Sequence, residues 1–187
     1  MACTGSIDCI ITCGKKMKDY LYLIDTQTPG PRCDVTPLFA HPAAFAALVS
    51  DLCIPFRSMA LDYVAGIDAL GFVLGAAMAM ELHKGFVPIR KAGKLPVEVI
   101  RATCRDYSGG RKTLELRKGI ILPGARVLVV DEWVETGAQV QAAIELVEAE
   151  NGIVVGIATI NMDRCPLTQH LRDKYYCHCI WEDMEEA

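Results

Sequence analysis

The sequence predicts an α/β domain with a mainly parallel central sheet and flanking helices. Two observations carry that expectation. Short apolar runs that read as buried strands alternate with helix-like segments along most of the chain. A length of 187 residues and a 52% hydrophobic content also suit a single compact domain, 1–187, with a sizeable core.

The elements follow in order. Residues 1–30 are mixed and close on TQTPGP, a loop signal. Phe39 to Cys53 reads as a helix, with Pro42 near its start, where proline is tolerated. Leu61 to Asp68 reads as a buried strand. A helix follows, apolar at Phe72, Ala76, Ala79, Met80 and His83, with Gly85 as its stop. Gly85 to Arg90 is a short strand, and the polar stretch Lys91 to Lys112 reads as a functional loop. Thr113 to Arg117 alternates as a half-exposed strand does, and Pro123-Gly124 marks a turn. ARVLVVD is a buried strand, and the helix after it ends at Asn151-Gly152. IVVGIATIN is a further buried strand, and YYCHCIW a last one, with Cys177 and Cys179 on one face.

Composition narrows the function. A net charge of −4 disfavours nucleic acid and anionic membranes as partners. No apolar run approaches the roughly 18–20 residues of a membrane span. The apolar patch Ile7 to Cys13 is broken by Asp8 and lacks a basic lead, unlike a signal peptide, so a cytoplasmic location is expected. Nine cysteines, an odd number, argue against a secreted disulfide framework. No CxxC pairs recur, so no protein-held metal is expected, and the cysteines read as small core residues.

Active sites of parallel sheets lie beyond the carboxyl ends of the strands. Three polar clusters fall there: Asp68 to Gly71, Arg90-Lys91, and Asp131 to Gln139. The stretch VLVVDEWVETGAQ is the most telling. Asp131 and Glu132 follow a buried strand directly, and unpaired carboxylates are costly to bury, so they should face the sheet's end. Paired acids there suit the vicinal hydroxyls of a ribose; they can equally hold a metal or cap the next turn. Glu135 to Gln139 forms the strand-to-helix junction, where successive amides make an anion site, Thr136 adds a hydroxyl, and Gly137 permits positive φ. The stretch reads either as a cradle for ribose 5-phosphate or as a capped junction with solvent-facing acids.

That stretch resembles the signature of type I phosphoribosyltransferases, and the adenine-specific branch most of all. DVTPLFAHPAAFAALV, LDYVAGIDALGFVLGAAMAMEL and FVPIRKAGKLP resemble the same family in the same order, so the likeness runs from about Thr28 to Ile160. It implies the type I fold, with a small N-terminal hood and base-pocket segment at 1–35 and a mobile flap at 91–112. It further implies transfer of ribose 5-phosphate from phosphoribosyl pyrophosphate to a purine base, adenine by likeness, releasing a nucleoside monophosphate and pyrophosphate. Asp131 and Glu132 would hold the ribose hydroxyls. Glu135, Thr136, Gly137, Ala138 and Gln139 would wrap the 5-phosphate. Asp68, Ala69, Leu70 and Gly71 would form the pyrophosphate loop, which Lys91 would meet. Asp106 takes the flap's catalytic glutamate position, with Tyr107 beside it. Arg32, Cys33 and Asp34 would border the base. Mg²⁺ would arrive on the substrate, and a homodimer is implied.

Departures from the family pattern sharpen the expectation. The usual Asp-Ser-Arg-Gly is Asp68-Ala69-Leu70-Gly71, so one cation is missing; a charge-assisted contact is worth about 1.5–3 kcal/mol. The usual Ala-Thr-Gly-Gly-Thr is Glu135-Thr136-Gly137-Ala138-Gln139, and Ala138 suits that place only if φ stays negative. Glu135 reads as a general base of the kind 6-oxopurine enzymes use, as a solvated acid on the helix's first turn, or as a group that repels phosphate. The alternatives to an adenine enzyme are therefore a 6-oxopurine transferase and a family member that binds nucleotide without turnover.

Overall fold

Tyr63–Ile67 (β1) and Arg126–Val130 (β5) run side by side and parallel in the body of a seven-stranded sheet, and Val64 to Ile67 and Val127 to Val130 are all buried. The computed structural model describes residues 18–30, 33–105 and 110–181. The remaining strands are β2 (Gly85–Lys91), β3 (Val99–Arg105), β4 (Arg111–Arg117), β6 (Trp133–Val134), β7 (Ile153–Thr159), β8 (Asn161–Met162) and β9 (Cys177–Cys179). The helices are α1 (Thr36–Ala40), α2 (Pro42–Cys53), α3 (Leu70–Glu81), α4 (Ala138–Ala149) and α5 (Pro166–Lys174). The sheet order is β3-β4-β2-β1-β5-β7-β9, and β6 pairs β8 separately. β2, β1, β5, β7 and β9 are parallel, while β3 and β4 add an antiparallel edge. This is the mainly parallel α/β sheet with flanking helices that the alternation of elements predicts.

The period of two along β5 divides the interior. Leu128 and Val130 join the core beneath α2 and α3, while Val127 and Val129 join the core beneath α4. α4 buries Val140, Ile144 and Val147 there, each contributing about 1.5–3 kcal/mol relative to exposure. Cys177 and Cys179 share one face as expected and pack into the second core, and neither forms a disulfide.

Three readings of the sequence need correcting. The stretch 91–112 contains more than loop: Val99–Arg105 is a full strand paired residue for residue with Arg111–Arg117. Its charged residues hide the pattern, because an edge strand tolerates charge on its exposed face. α3 is apolar all round, so its facing could not be read from period. Gly71, Leu74, Gly75, Met78 and Ala79 point inward, and Met80, expected on the apolar face, is 77% exposed. That helix stops at Glu81, with His83 rather than Gly85 in the left-handed region (φ 54°). Finally, α5 went unread, since a nine-residue helix burying only Thr168 and Leu171 carries little periodic signal.

Candidate active site

A cavity of about 260 Å³ opens where β1, β2 and β5 end. The turn after β1 brings Asp68, Ala69 and Leu70 to its wall, and the last residue of β2, Lys91, stands opposite. Lys91 Nζ lies 3.8 Å from Asp68 Oδ1, and Arg90 Nε 3.9 Å from Asp68 Oδ2. Leu70 is half-buried against the α2–α3 core, so at the missing cation's position an apolar side chain completes packing.

The acids after β5 behave differently from each other. Asp131 is not turned out to water, as its position at a strand end suggested; it is 5% exposed. α3 lies over it: a Cβ added to Gly71 would come within 2.7 Å of Val130 O and 3.1 Å of Asp131 Oδ1. Only glycine lets the helix start that close. Asp131 Oδ1 accepts the Glu132 amide at 3.0 Å. Burial, and then the adjoining Glu132 carboxyl, push the Asp131 carboxyl well above the usual carboxylate range, with Lys91 pulling the other way. A hydroxyl that donates to the Asp131 carboxylate would favour its charged form and offset that cost. Half-exposed Glu132 faces the cavity, and its carbonyl is fixed by the Ile160 amide (3.1 Å) and the Thr159 hydroxyl (3.1 Å).

The junction before α4 is shaped by one residue. Gly137 adopts φ 78° as the helix N-cap. The space beside it is filled by α5, for a Cβ there would meet Leu171 at 3.1 Å and Thr168 at 3.2 Å. α5 also secures the loop through Cys165, whose thiol donates to Thr136 O at 3.5 Å. Thr136 Oγ1 accepts the Ala138 amide at 3.3 Å. Ala138 is the first helical residue, with no positive φ, so a side chain is accommodated. Glu135, Thr136, Gly137 and Gln139 line the cavity, and Ala138 does not. Glu135 precedes the N-cap by two residues, and α4 carries no acid in its first turn. That removes the reading of Glu135 as a first-turn helix acid.

Cys33 and Asp34 also reach the cavity. Asp34 exchanges backbone hydrogen bonds with Asp25 at 2.9 Å, and its carboxylate accepts the Thr36 amide at 2.8 Å; the Thr36 side chain first, and then that amide, hold the carboxyl below the usual range. Burial pushes the Cys33 thiol up, which agrees with a packing role. Arg32, Asp106 and Tyr107 lie outside the described residues. Lys112 and Trp133 line the cavity without having been singled out from sequence. Trp133 is held by an Nε1–H bond to Asp163 at 3.2 Å. The adjacency of Trp133 to Glu132 was the available signal; for Lys112 there was none, because its approach depends on the β3–β4 edge. Asp34, Asp68, Asp131, Glu132 and Glu135 thus face Lys91 and Lys112, an excess of acid. Among the described residues no group of three or more His, Cys, Asp or Glu side chains forms a metal site.

A parallel sheet whose β5 ends on paired acids, followed by a glycine-capped junction, has the arrangement of a type I phosphoribosyltransferase, and residues 58–187 match the phosphoribosyl transferase domain family. The adenine phosphoribosyltransferase of Dinoroseobacter shibae is 43% identical over 148 residues, 77% of this chain and 81% of that one. The crystal structure of adenine phosphoribosyltransferase from Rhodothermus marinus superposes with a TM-score of 0.78 at 33% identity, over 87% of this chain and 95% of that one. That of Saccharomyces cerevisiae, complexed with an imino-altritol bisphosphate and adenine, gives 0.73 at 27% identity, over 87% and 96%. The chain belongs to the adenine phosphoribosyltransferase family.

Proposed function

We propose that the chain transfers ribose 5-phosphate from phosphoribosyl pyrophosphate to adenine, giving AMP and pyrophosphate. The observation that carries this is the Asp131–Glu132 pair at the end of β5, set beside the Gly137-capped junction in one cavity. The adenine-specific relatives supply the base. Asp131 and Glu132 take the ribose 2- and 3-hydroxyls. Glu135, Thr136, Gly137 and Gln139 receive the 5-phosphate, with the amides before α4 as donors; Ala138 contributes backbone alone. Asp68, Ala69 and Leu70, with Lys91 and Lys112, bound the pyrophosphate. Cys33 and Asp34, with Arg32 beyond the described residues, border the base.

In the reaction a purine nitrogen attacks the anomeric carbon as the bond to pyrophosphate breaks, through an oxocarbenium-like transition state. The protein's task is positioning, stabilising the leaving charge and excluding water. Glu135 takes the proton lost from the purine. Asp106 and Tyr107, in the part of the 91–112 flap beyond the Gly93–Leu95 turn, would close over the centre. Five carboxyl groups around the cavity make a bare polyanion unwelcome, which supports entry of the substrate as its Mg²⁺ complex, in which the ion would offset the pyrophosphate charge. Val73, Ala76, Ala77 and Met80 form a partly exposed stripe at helical spacing on α3, which supports a homodimer packed on that face. On this reading residues 1–187 act as one unit in the cytoplasm, with the hood and base-pocket segment within 1–35. No helix among the described residues is long and apolar enough to cross a membrane.

A second reading has a specific basis. Leu70 gives the pyrophosphate loop no cation, and Glu135 sets a carboxylate where phosphate is expected, which suits a nucleotide binder without turnover or a 6-oxopurine enzyme. Pyrophosphate release from phosphoribosyl pyrophosphate and Mg²⁺ with adenine, hypoxanthine or guanine separates the three. Release with adenine alone is expected. Release with none, together with AMP binding, leaves the binder.

A further inference from the structure

Glu115 on β4 is fully buried, yet it is a carboxylate with no place in the cavity. Its partners are unusual. Oε1 accepts the amides of Lys94 (2.7 Å) and Leu95 (2.8 Å), and Oε2 that of Gly93 (2.9 Å). Arg101 adds Nε and Nη2, each at 3.4 Å. Three successive amides of the turn after β2 therefore close around one carboxylate. Those hydrogen bonds, opposed by burial, hold the group near a pKa of about 2, so it stays ionised.

The same turn adjoins the active site through Lys91, which lines the cavity. Arg90 stands opposite Glu115 in the β2–β4 register, and Arg101 opposite it in the β3–β4 register, which sets the three side chains in a row across one face. Arg90 Nη1 donates to Lys94 O at 3.1 Å, so the turn is gripped from its amides by Glu115 and from a carbonyl by Arg90. Arg90 Nε, buried with no hydrogen-bond partner, lies 3.9 Å from Asp68 Oδ2, and the Lys91 amide lies 3.5 Å from the same oxygen. Release of the turn would free both basic residues from the Asp68 loop.

We propose that Glu115 is the positioning residue for the pyrophosphate side of the site: its carboxylate pins the Gly93–Leu95 turn, and through it Arg90 and Lys91, against the Asp68 loop. This rests on the transferase reading above. In a loop that lacks a cation at Leu70, the remaining basic groups must be held in place by something else, and Glu115 is that anchor.

The test is Glu115→Gln, which puts an amide group against two sets of donors, with Glu98→Gln as control on the exposed Glu98–Lys118 pair of the same edge (2.6 Å). Three quantities are read: amide hydrogen exchange at residues 93–95, calorimetric affinity for magnesium pyrophosphate, and KM for each substrate. E115Q should speed exchange at those amides, weaken pyrophosphate about ten-fold or more, and raise KM for phosphoribosyl pyrophosphate while leaving KM for adenine within about two-fold. E98Q should change none of them. If E115Q fails to fold, Glu115→Asp, which keeps the charge and shortens the arm, should show the same split. Equal losses for both substrates, or an unchanged pyrophosphate affinity, would refute the role. Unaltered protein that binds no pyrophosphate overturns the transferase reading and this role together; unaltered protein that binds it no better than E115Q overturns the role alone.

Discussion

Asp131→Asn separates binding from stability. The change keeps the volume of a side chain that is 5% exposed, and its oxygen can still accept the Glu132 amide. What it removes is one carboxylate oxygen, replaced by an amide group that only donates, and with it the buried ionisable group. A ribose hydroxyl donating to Asp131 favours its ionised form, and a hydrogen bond to a charged acceptor is worth about 1.5–3 kcal/mol, so Kd for AMP at pH 8 should rise roughly 10- to 150-fold. Stability should move the other way. Burial and Glu132 raise the Asp131 carboxyl above its unfolded value of 3.8, so the folded state holds the proton where the unfolded state has lost it. The native protein therefore loses stability as pH rises from the unfolded value through the raised one, and D131N should not. Calorimetry with AMP, alongside thermal melts at pH 5 and pH 8, reads both effects. D131N should melt at or above the unaltered protein at pH 8, with the difference shrinking at pH 5. A variant that melts several degrees lower at pH 8, with AMP affinity unchanged, would show that Asp131 is a structural acid and that the diol assignment is wrong.

Two further outcomes test the phosphate contacts. Leu70→Arg should lower KM for phosphoribosyl pyrophosphate by about ten-fold, at a small loss of stability because Leu70 is only half-buried; steady-state kinetics read it, and a flat response would place the deficit in Glu135 or Gln139. Gly137→Ala forces an L-residue to φ 78° and sets a methyl 3.1 Å from Leu171, so about 1–2 kcal/mol and some 2–8 °C in Tm should be lost, with weaker AMP binding; an unchanged melt would mean that the junction relaxes freely.

Much of this molecule follows from local pattern. β1, β5 and β7 are apolar runs whose type follows from burial on both faces. α2 and α4 show period and end signals, down to Asn151 in the left-handed region (φ 60°) after α4. Asp131, Glu132, Thr136 and Gly137 could be singled out because the site sits where a strand must end, and there chain order and spatial order coincide.

Tertiary contacts decided the rest. Whether Asp131 meets water or lies under α3 depends on Gly71, 60 positions earlier in the sequence. Ala138 takes an ordinary helical conformation because Gly137 alone takes the left-handed turn, braced by α5 from about 30 residues downstream. Glu115 reads from sequence as one polar residue in an alternating strand, and becomes an anchor only when the Gly93–Leu95 amides fold onto it. Sequence by itself determined which segments must be buried and where polar groups must emerge, because desolvation acts on each residue where it stands. Which of those groups meet, and in what state of charge, was left to the fold, because hydrogen bonds and proton affinities depend on neighbours that lie close only in space.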